Sequence, residues 1–119
     1  MPPSTCRVDV VEHAESDYPA DERVTLVEAP GLRVRRLSLA AGQCVPWHLH
    51  TTITDTFFCM EGPMRIATRD PEGAHVLQPG GTLAVAPGTA HYVAGVDEGP
   101  CRFMLVQGVG EYDYVPVEP

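Results

Sequence analysis

Closely spaced turn residues are the strongest constraint on what this chain can fold into. Its 119 residues include 12 prolines and 11 glycines, several of them in turn-forming pairs such as Pro30-Gly31 and Pro79-Gly80. This spacing leaves little room for a long helix, because proline and glycine both interrupt helical hydrogen bonding. Short runs of alternating apolar and polar residues lie between the turns. Roughly ten or eleven such runs at turn-marked spacing predict an all-β sandwich or barrel.

The alternation also predicts individual strands. A short strand at residues 8–11 is expected to form an edge or a dimer arm. In the strand 32–39 the apolar face switches at Arg35-Arg36, which predicts a β-bulge there and places both arginines on a solvated outer face. The other strands are predicted at residues 24–28, 45–49, 56–60, 64–68, 75–77, 82–86, 91–94, 102–107 and, along an edge, 112–117.

Two histidines two residues apart lie in the strand predicted at 45–49 and just after it. Because side chains on a strand repeat every second residue, His48 and His50 leave the same face and can bind one ion at about 2.0–2.1 Å. Asp55 follows where the chain can turn back, and His91 follows a Pro-Gly turn on a later strand. Three imidazoles and a carboxylate suit a divalent transition metal that keeps an open position.

The same alternation assigns the neighbours of these histidines to faces. If the histidines point into the barrel, Cys44 and Pro46 are expected to do so as well. Trp47 and Leu49 are then expected on the opposite face, which must be partly covered because both side chains are apolar.

The segment from Gly42 to Gly62 resembles the first motif of the cupin superfamily, Gly-x5-His-x-His-x4-Glu-x6-Gly. Both glycines and both histidines occupy the motif's positions without gaps, and Asp55 stands where the family has Glu. The resemblance implies a small single-domain cupin of the cupin 2 type. Its implied fold is a jelly-roll barrel, also called a double-stranded β-helix, holding one metal through His48, His50, Asp55 and His91.

A second segment resembles the other cupin motif, Gly-x5-Pro-x-Gly-x2-His-x3-Asn. Gly80, Gly88 and His91 match it, whereas Ala86 replaces the proline and Gly95 replaces the asparagine. Together the two motifs span residues 42–95. The chain is therefore interpreted as one domain over residues 1–119, with an N-terminal arm and edge strand at 1–22, the barrel at 23–110 and a tail at 111–119.

Asp55 is one methylene shorter than the family's Glu, so two roles stay open for it. It either binds the metal directly, or it orients a histidine or a metal-bound water and acts as a base. Tyr92 is the second candidate catalytic residue. The candidate substrate-pocket residues are Phe57, Cys59, Arg65 and Phe103.

The amino-acid composition argues against some classes of binding partner. A net charge of −8 argues against nucleic acid and against an anionic membrane surface. The chain shows no apolar signal segment and no apolar run near the length of a membrane span, which predicts a cytoplasmic location. We then expect reduced thiols, used as small apolar residues, at Cys6, Cys44, Cys59 and Cys101.

Three functions compete at this point. The first is a metal-dependent enzyme, a dioxygenase, isomerase or lyase, acting on a small oxygenated molecule or carboxylic acid. Its cofactor would be one divalent transition metal, with Fe or Zn favoured and Mn or Ni as alternatives. The second is a non-catalytic module that binds a small ligand or metal. The third is a barrel with a degenerate metal site. The resemblance also implies a homodimer paired by edge strands.

Overall fold

The structure is a computed structural model that describes residues 18–119, so the strand predicted at 8–11 and Cys6 lie outside the described residues. This part of the chain contains one 3-10 turn, Val96–Glu98, and no helix long and apolar enough to cross a membrane. Ten strands make up the rest of its regular structure: β1 (Glu22–Ala29), β2 (Leu32–Leu39), β3 (Cys44–Leu49), β4 (Thr54–Glu61), β5 (Met64–Thr68), β6 (Gly73–Leu77), β7 (Thr82–Val85), β8 (His91–Gly95), β9 (Cys101–Gly108) and β10 (Val115–Pro116).

The strands form two antiparallel sheets of five. The first has the order β1-β2-β9-β4-β7 and the second β10-β3-β8-β5-β6. One apolar cluster joins their inner faces, with Leu37 and Phe103 from the first sheet and Met64, Ile66 and Val93 from the second, all fully buried. Burying these side chains between the sheets is the main favourable contribution to folding. The prediction of an all-β, jelly-roll barrel is confirmed.

Strand β2 departs from the sequence prediction. Its ladder with β9 runs without interruption, so the predicted bulge at Arg35-Arg36 is wrong. The irregularity of this region lies in the neighbouring strand β1, between Thr25 and Val27. Arg36 stays partly exposed, but Arg35 shares the inner face with Leu37 and is only 6% exposed. Arg35 was predicted on the outer face because charged side chains usually contact solvent.

Strand β3 does contain a bulge, and it changes which residues face the interior. The pairing of β3 with β8 shifts between Val45 and His48, so both point inward although they are three residues apart. Cys44 therefore faces outward, beside Trp47 in a second apolar cluster. The inward prediction for Cys44 is wrong, and the outward prediction for Trp47 is confirmed. Pro46 lies within the bulge, where its missing N–H costs no ladder hydrogen bond.

The cysteines also differ from expectation. Cys44 is disulfide-bonded, so the prediction of a reduced thiol is wrong for it. Cys59 and Cys101 are free and buried among apolar side chains. Burial raises the pKa of Cys101 to about 12, which keeps it a neutral thiol.

Candidate metal centre

Four titratable side chains converge at one end of the barrel. They are His48 on β3, His50 just after it, Asp55 on β4 and His91 at the start of β8. His48 and His91 are direct cross-strand partners. Each of the four is at most 3% exposed, and their candidate ligand atoms all lie within 4.8 Å of one another. The structure thus brings together the four residues proposed from the sequence.

The distances around Asp55 suit a metal shell. Its Oδ2 lies 2.8 Å from Nε2 of His91, 2.9 Å from Nε2 of His50 and 3.9 Å from Nε2 of His48. Two atoms bound to one ion at about 2.1 Å are at most about 4.2 Å apart. The cluster therefore fits a single transition-metal ion after side-chain shifts of a few tenths of an ångström. Asp55 is close enough to bind it directly despite its short side chain.

Backbone carbonyls hold each imidazole in one tautomer. The Nδ1 atoms donate hydrogen bonds, from His48 to the carbonyl of Pro46 at 2.8 Å, from His50 to that of Asp113 at 2.5 Å and from His91 to that of Thr89 at 2.9 Å. A carbonyl only accepts, so Nδ1 carries the hydrogen in all three rings. In a neutral imidazole the other nitrogen, Nε2, then presents a lone pair. With Nε2 deprotonated in all three rings, three lone pairs and a carboxylate oxygen face one point and form a site for a cation.

The electrostatics of the cluster favour an ionised carboxylate beside the imidazoles. Burial lowers the pKa of His48 to about 4, so this ring is neutral near pH 7. Burial by itself would raise the pKa of Asp55, but in the metal-free cluster a histidine ring that carries a second proton donates it from Nε2 to Oδ2, and this hydrogen bonding holds the pKa well below its usual range. The carboxylate in turn raises the pKa of His50 against the opposing effect of burial. Asp55 is therefore ionised and supplies negative charge to the site.

A hydrogen-bonded row fixes the Asp55 carboxylate. Its Oδ1 accepts from Nε2 of Gln107 at 3.1 Å, and Oε1 of Gln107 accepts from Nε of Arg33 at 3.1 Å. The three residues are cross-strand neighbours on β4, β9 and β2. With Oδ1 held in this way, Oδ2 faces the histidines. Sequence reasoning missed Gln107, although it occupies the inward phase set by Phe103 and Leu105 on the same strand.

The C-terminal tail covers the centre. Strand β10 pairs with the histidine-bearing strand β3, as predicted for an edge strand. The Tyr114 ring stacks on His48 at 4.5 Å between centroids, and the Tyr112 ring lies 5.3 Å from that of His50. Between them, both carboxylate oxygens of Asp113 accept hydrogen bonds from Thr51. Sequence reasoning left these tyrosines out, although their spacing of two residues on a predicted strand was a usable signal.

The candidate pocket residues divide into two groups. Phe57 lines the cleft beside the metal centre, with its ring 5.9 Å from that of His91. Phe103 contacts Phe57 from the barrel core, and Cys59 lies in that core as well. Only Phe57 is therefore in contact with the cleft. The other two support its wall.

Tyr92 and Arg65 are not at the centre. Tyr92 directly follows His91 on β8, so alternation turns it to the outer face, where it packs against Trp47 at 5.8 Å. Arg65 lies between two fully buried residues of β5, Met64 and Ile66, and therefore also points outward. The catalytic assignment of Tyr92 and the pocket assignment of Arg65 do not fit this geometry.

Solved structures with the same fold span several kinds of protein. A conserved Klebsiella pneumoniae protein with a double-stranded β-helix domain matches 85% of this chain and 90% of its own, at a TM-score of 0.72 and 20% identity. An oxalate oxidase in complex with glycolate matches 72% of this chain at a TM-score of 0.64 and 18% identity, and the match spans 46% of that protein. An oxalate decarboxylase of Lactobacillus farciminis, in a formate complex, matches 75% of this chain at 0.66 and 14% identity, over 27% of its own length.

No curated protein matches the chain. The structural likenesses are all of low sequence identity and therefore establish the fold alone. The family model of the Cupin domain matches residues 35–107, which include the histidine segment, Asp55, His91 and Gln107. This chain belongs to the cupin family.

Proposed function

We propose that this cupin is a metal-dependent enzyme that acts on a small oxygenated molecule or carboxylic acid. One divalent transition metal, Fe or Zn before Mn or Ni, would be held by His48, His50, Asp55 and His91. The reaction classes that suit such a centre are those of a dioxygenase, an isomerase or a lyase. The neighbouring oxalate oxidase and oxalate decarboxylase, which carry glycolate and formate, support a small carboxylic acid as the substrate class.

One observation carries the proposal: three buried imidazoles, each with Nδ1 donating to a backbone carbonyl, direct Nε2 at an ionised buried carboxylate. Since the Nδ1 hydrogens are already donated to backbone carbonyls, Nε2 of each ring is left to share a proton with Asp55 or to bind a cation in its place. Metal centres regularly show this arrangement, in which an outer hydrogen bond sets the tautomer of each ligand.

Each residue has a part in the chemistry. A bound metal would supply a Lewis acid for polarising a substrate oxygen, or a site for O2 if it is iron. Gln107 holds the Asp55 carboxylate in position through Oδ1. Tyr112 and Tyr114 cover the cluster and reduce the access of water. Phe57 forms the apolar wall against which the body of a substrate packs.

Metal content tests the proposal first. Elemental analysis of purified protein is expected to give close to one transition-metal ion per chain, either as isolated or after anaerobic loading. His91→Ala should lose this metal, whereas His75→Ala, at an exposed position on β6, should keep it. Absence of metal from the loaded wild-type protein, or retention by His91→Ala at the wild-type level, would refute the ligand set.

Turnover tests the enzymatic part. The metal-loaded protein is to be incubated with small hydroxy acids, oxo acids and dicarboxylic acids while O2 uptake and product masses are followed. Turnover that is lost in His91→Ala and retained in His75→Ala would establish the enzyme. A fully loaded protein that binds these acids without converting any of them would instead be a binding module.

We also propose that the protein is a homodimer, as is expected for a small single-domain cupin. Light scattering coupled to size-exclusion chromatography should give about twice the 12.9 kDa mass of one chain. A single species at the monomer mass would refute the proposal.

A further inference from the structure

A buried arginine faces the cleft beside the metal centre. Arg35 on β2 is 6% exposed and lines the same cleft as His48, His50 and Asp55. Its cross-strand partner on β9 is Leu105, one row along the sheet from the row that holds Gln107 and Asp55. The guanidinium therefore lies inside the barrel, close to the proposed metal and away from bulk water.

Among the described residues, no carboxylate is paired with this guanidinium. Within residues 18–119, the Arg35 Nε atom is buried and has no hydrogen-bond partner. The groups with the largest electrostatic influence on Arg35 are Tyr18, Arg33, Tyr112 and Arg23, none of them a carboxylate. Burial raises the pKa of Tyr18 to about 12, so this phenol is neutral near pH 7 and cannot balance the charge. A buried, unpaired charge is costly, so a ligand that brings an anionic partner to it would be stabilised there.

The unmet hydrogen-bonding capacity extends to two neighbouring arginines. Three buried side-chain nitrogen atoms in the described part of the chain have no hydrogen-bond partner, namely Nε of Arg23, Nη2 of Arg33 and Nε of Arg35. The Arg23 guanidinium lies over the ring of Tyr18, and that of Arg33 over the ring of Tyr112, both of which line the cleft. A chain with 8 basic and 16 acidic residues thus places one arginine in the cleft and two more against the tyrosine rings that line it. These guanidinium groups place positive charge beside a cleft that also holds the ionised Asp55.

We propose that Arg35 binds the carboxylate group of a small anionic ligand in the cleft, beside the proposed metal. The planar fork of arginine donors matches a carboxylate, and burial makes the pairing stronger than it would be in water. The cleft is small and partly open to solvent. A molecule of a few heavy atoms is therefore the largest ligand that it suits. The inference depends on the proposed function in one respect only, namely that a metal would bind the other end of the ligand.

Calorimetric titration with malonate tests the proposal, and the uncharged malonamide serves as the matched probe. The wild-type protein is to be titrated both metal-free and zinc-loaded, since zinc has no redox chemistry. Malonate is expected to bind, and malonamide to bind at least about tenfold more weakly, because it cannot form a charge-assisted pair. Wild-type protein that binds malonate in neither form, or binds both probes equally, would overturn the proposal.

Variants at position 35 locate the binding site. Arg35→Met should weaken malonate binding about 10- to 100-fold, and Arg35→Lys should fall between it and the wild type, since it keeps the charge without the fork. Arg65→Met, at the outward-facing arginine of β5, is the control and should bind malonate as the wild type does. Wild-type affinity in Arg35→Met would overturn the proposal.

Thermal unfolding separates a ligand-binding role from a structural one. Without ligand, Arg35→Met should melt at or above the wild-type temperature, because it removes an unpaired buried charge. A lower melting temperature together with unchanged malonate affinity would mean that Arg35 serves the fold alone. Should Arg35→Met fail to fold, the comparison of Arg35→Lys with wild type on malonate decides instead.

Metal content distinguishes this inference from the proposed function. Malonate binding to metal-free protein that depends on Arg35 supports the inference even if no metal can be loaded, in which case the proposed function fails. Conversely, one metal per chain with malonate binding indifferent to Arg35 leaves the metal centre in place and refutes the inference.

Discussion

The two ends of the barrel interior are built by the same strands yet have opposite characters. Strands β2, β9 and β4 contribute rows of cross-strand neighbours to it. One row is Leu37, Phe103 and Cys59, and the row two steps along the sheet is Arg33, Gln107 and Asp55. The apolar row packs against the second sheet and stabilises the fold. The polar row leaves buried charge and donors for a metal and a ligand, so the barrel separates stability and chemistry along its length.

A substitution at Asp55 should give the largest effect, because this residue supplies the negative charge at the polar end of the barrel. In Asp55→Asn the amide can donate to an Nε2 lone pair, so the metal-free protein should keep its fold. It also loses the negative charge that attracts the ion, and elemental analysis should find the site essentially empty. One metal per chain in Asp55→Asn would show that the carboxylate is not a required ligand. Circular dichroism of the same sample verifies the fold.

The apolar end should respond in stability instead. Phe103→Ala removes a fully buried ring and is expected to lower the free energy of unfolding by about 3–5 kcal/mol, measured with urea. The molecules that remain folded should still bind one metal. Phe58→Ala, on the outer face of β4, is the control and should cost much less. Loss of metal from folded Phe103→Ala would mean that the two ends are coupled rather than separate.

Gln107 tests how strongly the polar row supports the centre. Gln107→Leu keeps the side-chain volume but removes the hydrogen bond to Oδ1 of Asp55, so metal affinity should fall about 10- to 100-fold. Competition with a chelator of known affinity measures this change. Affinity equal to that of the wild type would remove Gln107 from the site, and a large loss of stability would make its role structural.

Tyr92 should give the smallest effect. Its ring lies on the outer face against Trp47, so Tyr92→Phe should leave metal affinity and turnover unchanged. The free energy of unfolding should change by about 1 kcal/mol or less, the usual worth of a hydroxyl's hydrogen bond. A clear loss of turnover with full metal content would restore the catalytic role predicted from the sequence.

Local pattern was enough to predict much of the architecture and the four metal-binding candidates. Turn residues delimit strands wherever they occur, and a spacing of two puts His48 and His50 on one face without reference to the rest of the chain. Motif spacing then added Asp55 and His91 through resemblance to a family. These predictions depend on neighbours in sequence or on matched positions, and the structure agrees with them.

Other features depend on pairing between distant strands. A bulge shifts the alternation of inward and outward side chains by one residue. Only the register with β8 reveals that the bulge lies between Val45 and His48, and this shift turns the side chain of Cys44 to the outer face. Likewise, the uninterrupted ladder with β9 places Arg35 inside, where its charge alone had suggested solvent.

The sequence by itself thus determined the class of fold and the residues able to bind a metal, because strand periodicity and turn chemistry are local properties. Only the tertiary structure decided that Gln107 orients Asp55, that Tyr112 and Tyr114 cover the centre, and that Arg35 lines the cleft beside it. Each of those facts requires residues separated by tens of positions to share one face of a sheet, and that arrangement is set by strand register and packing.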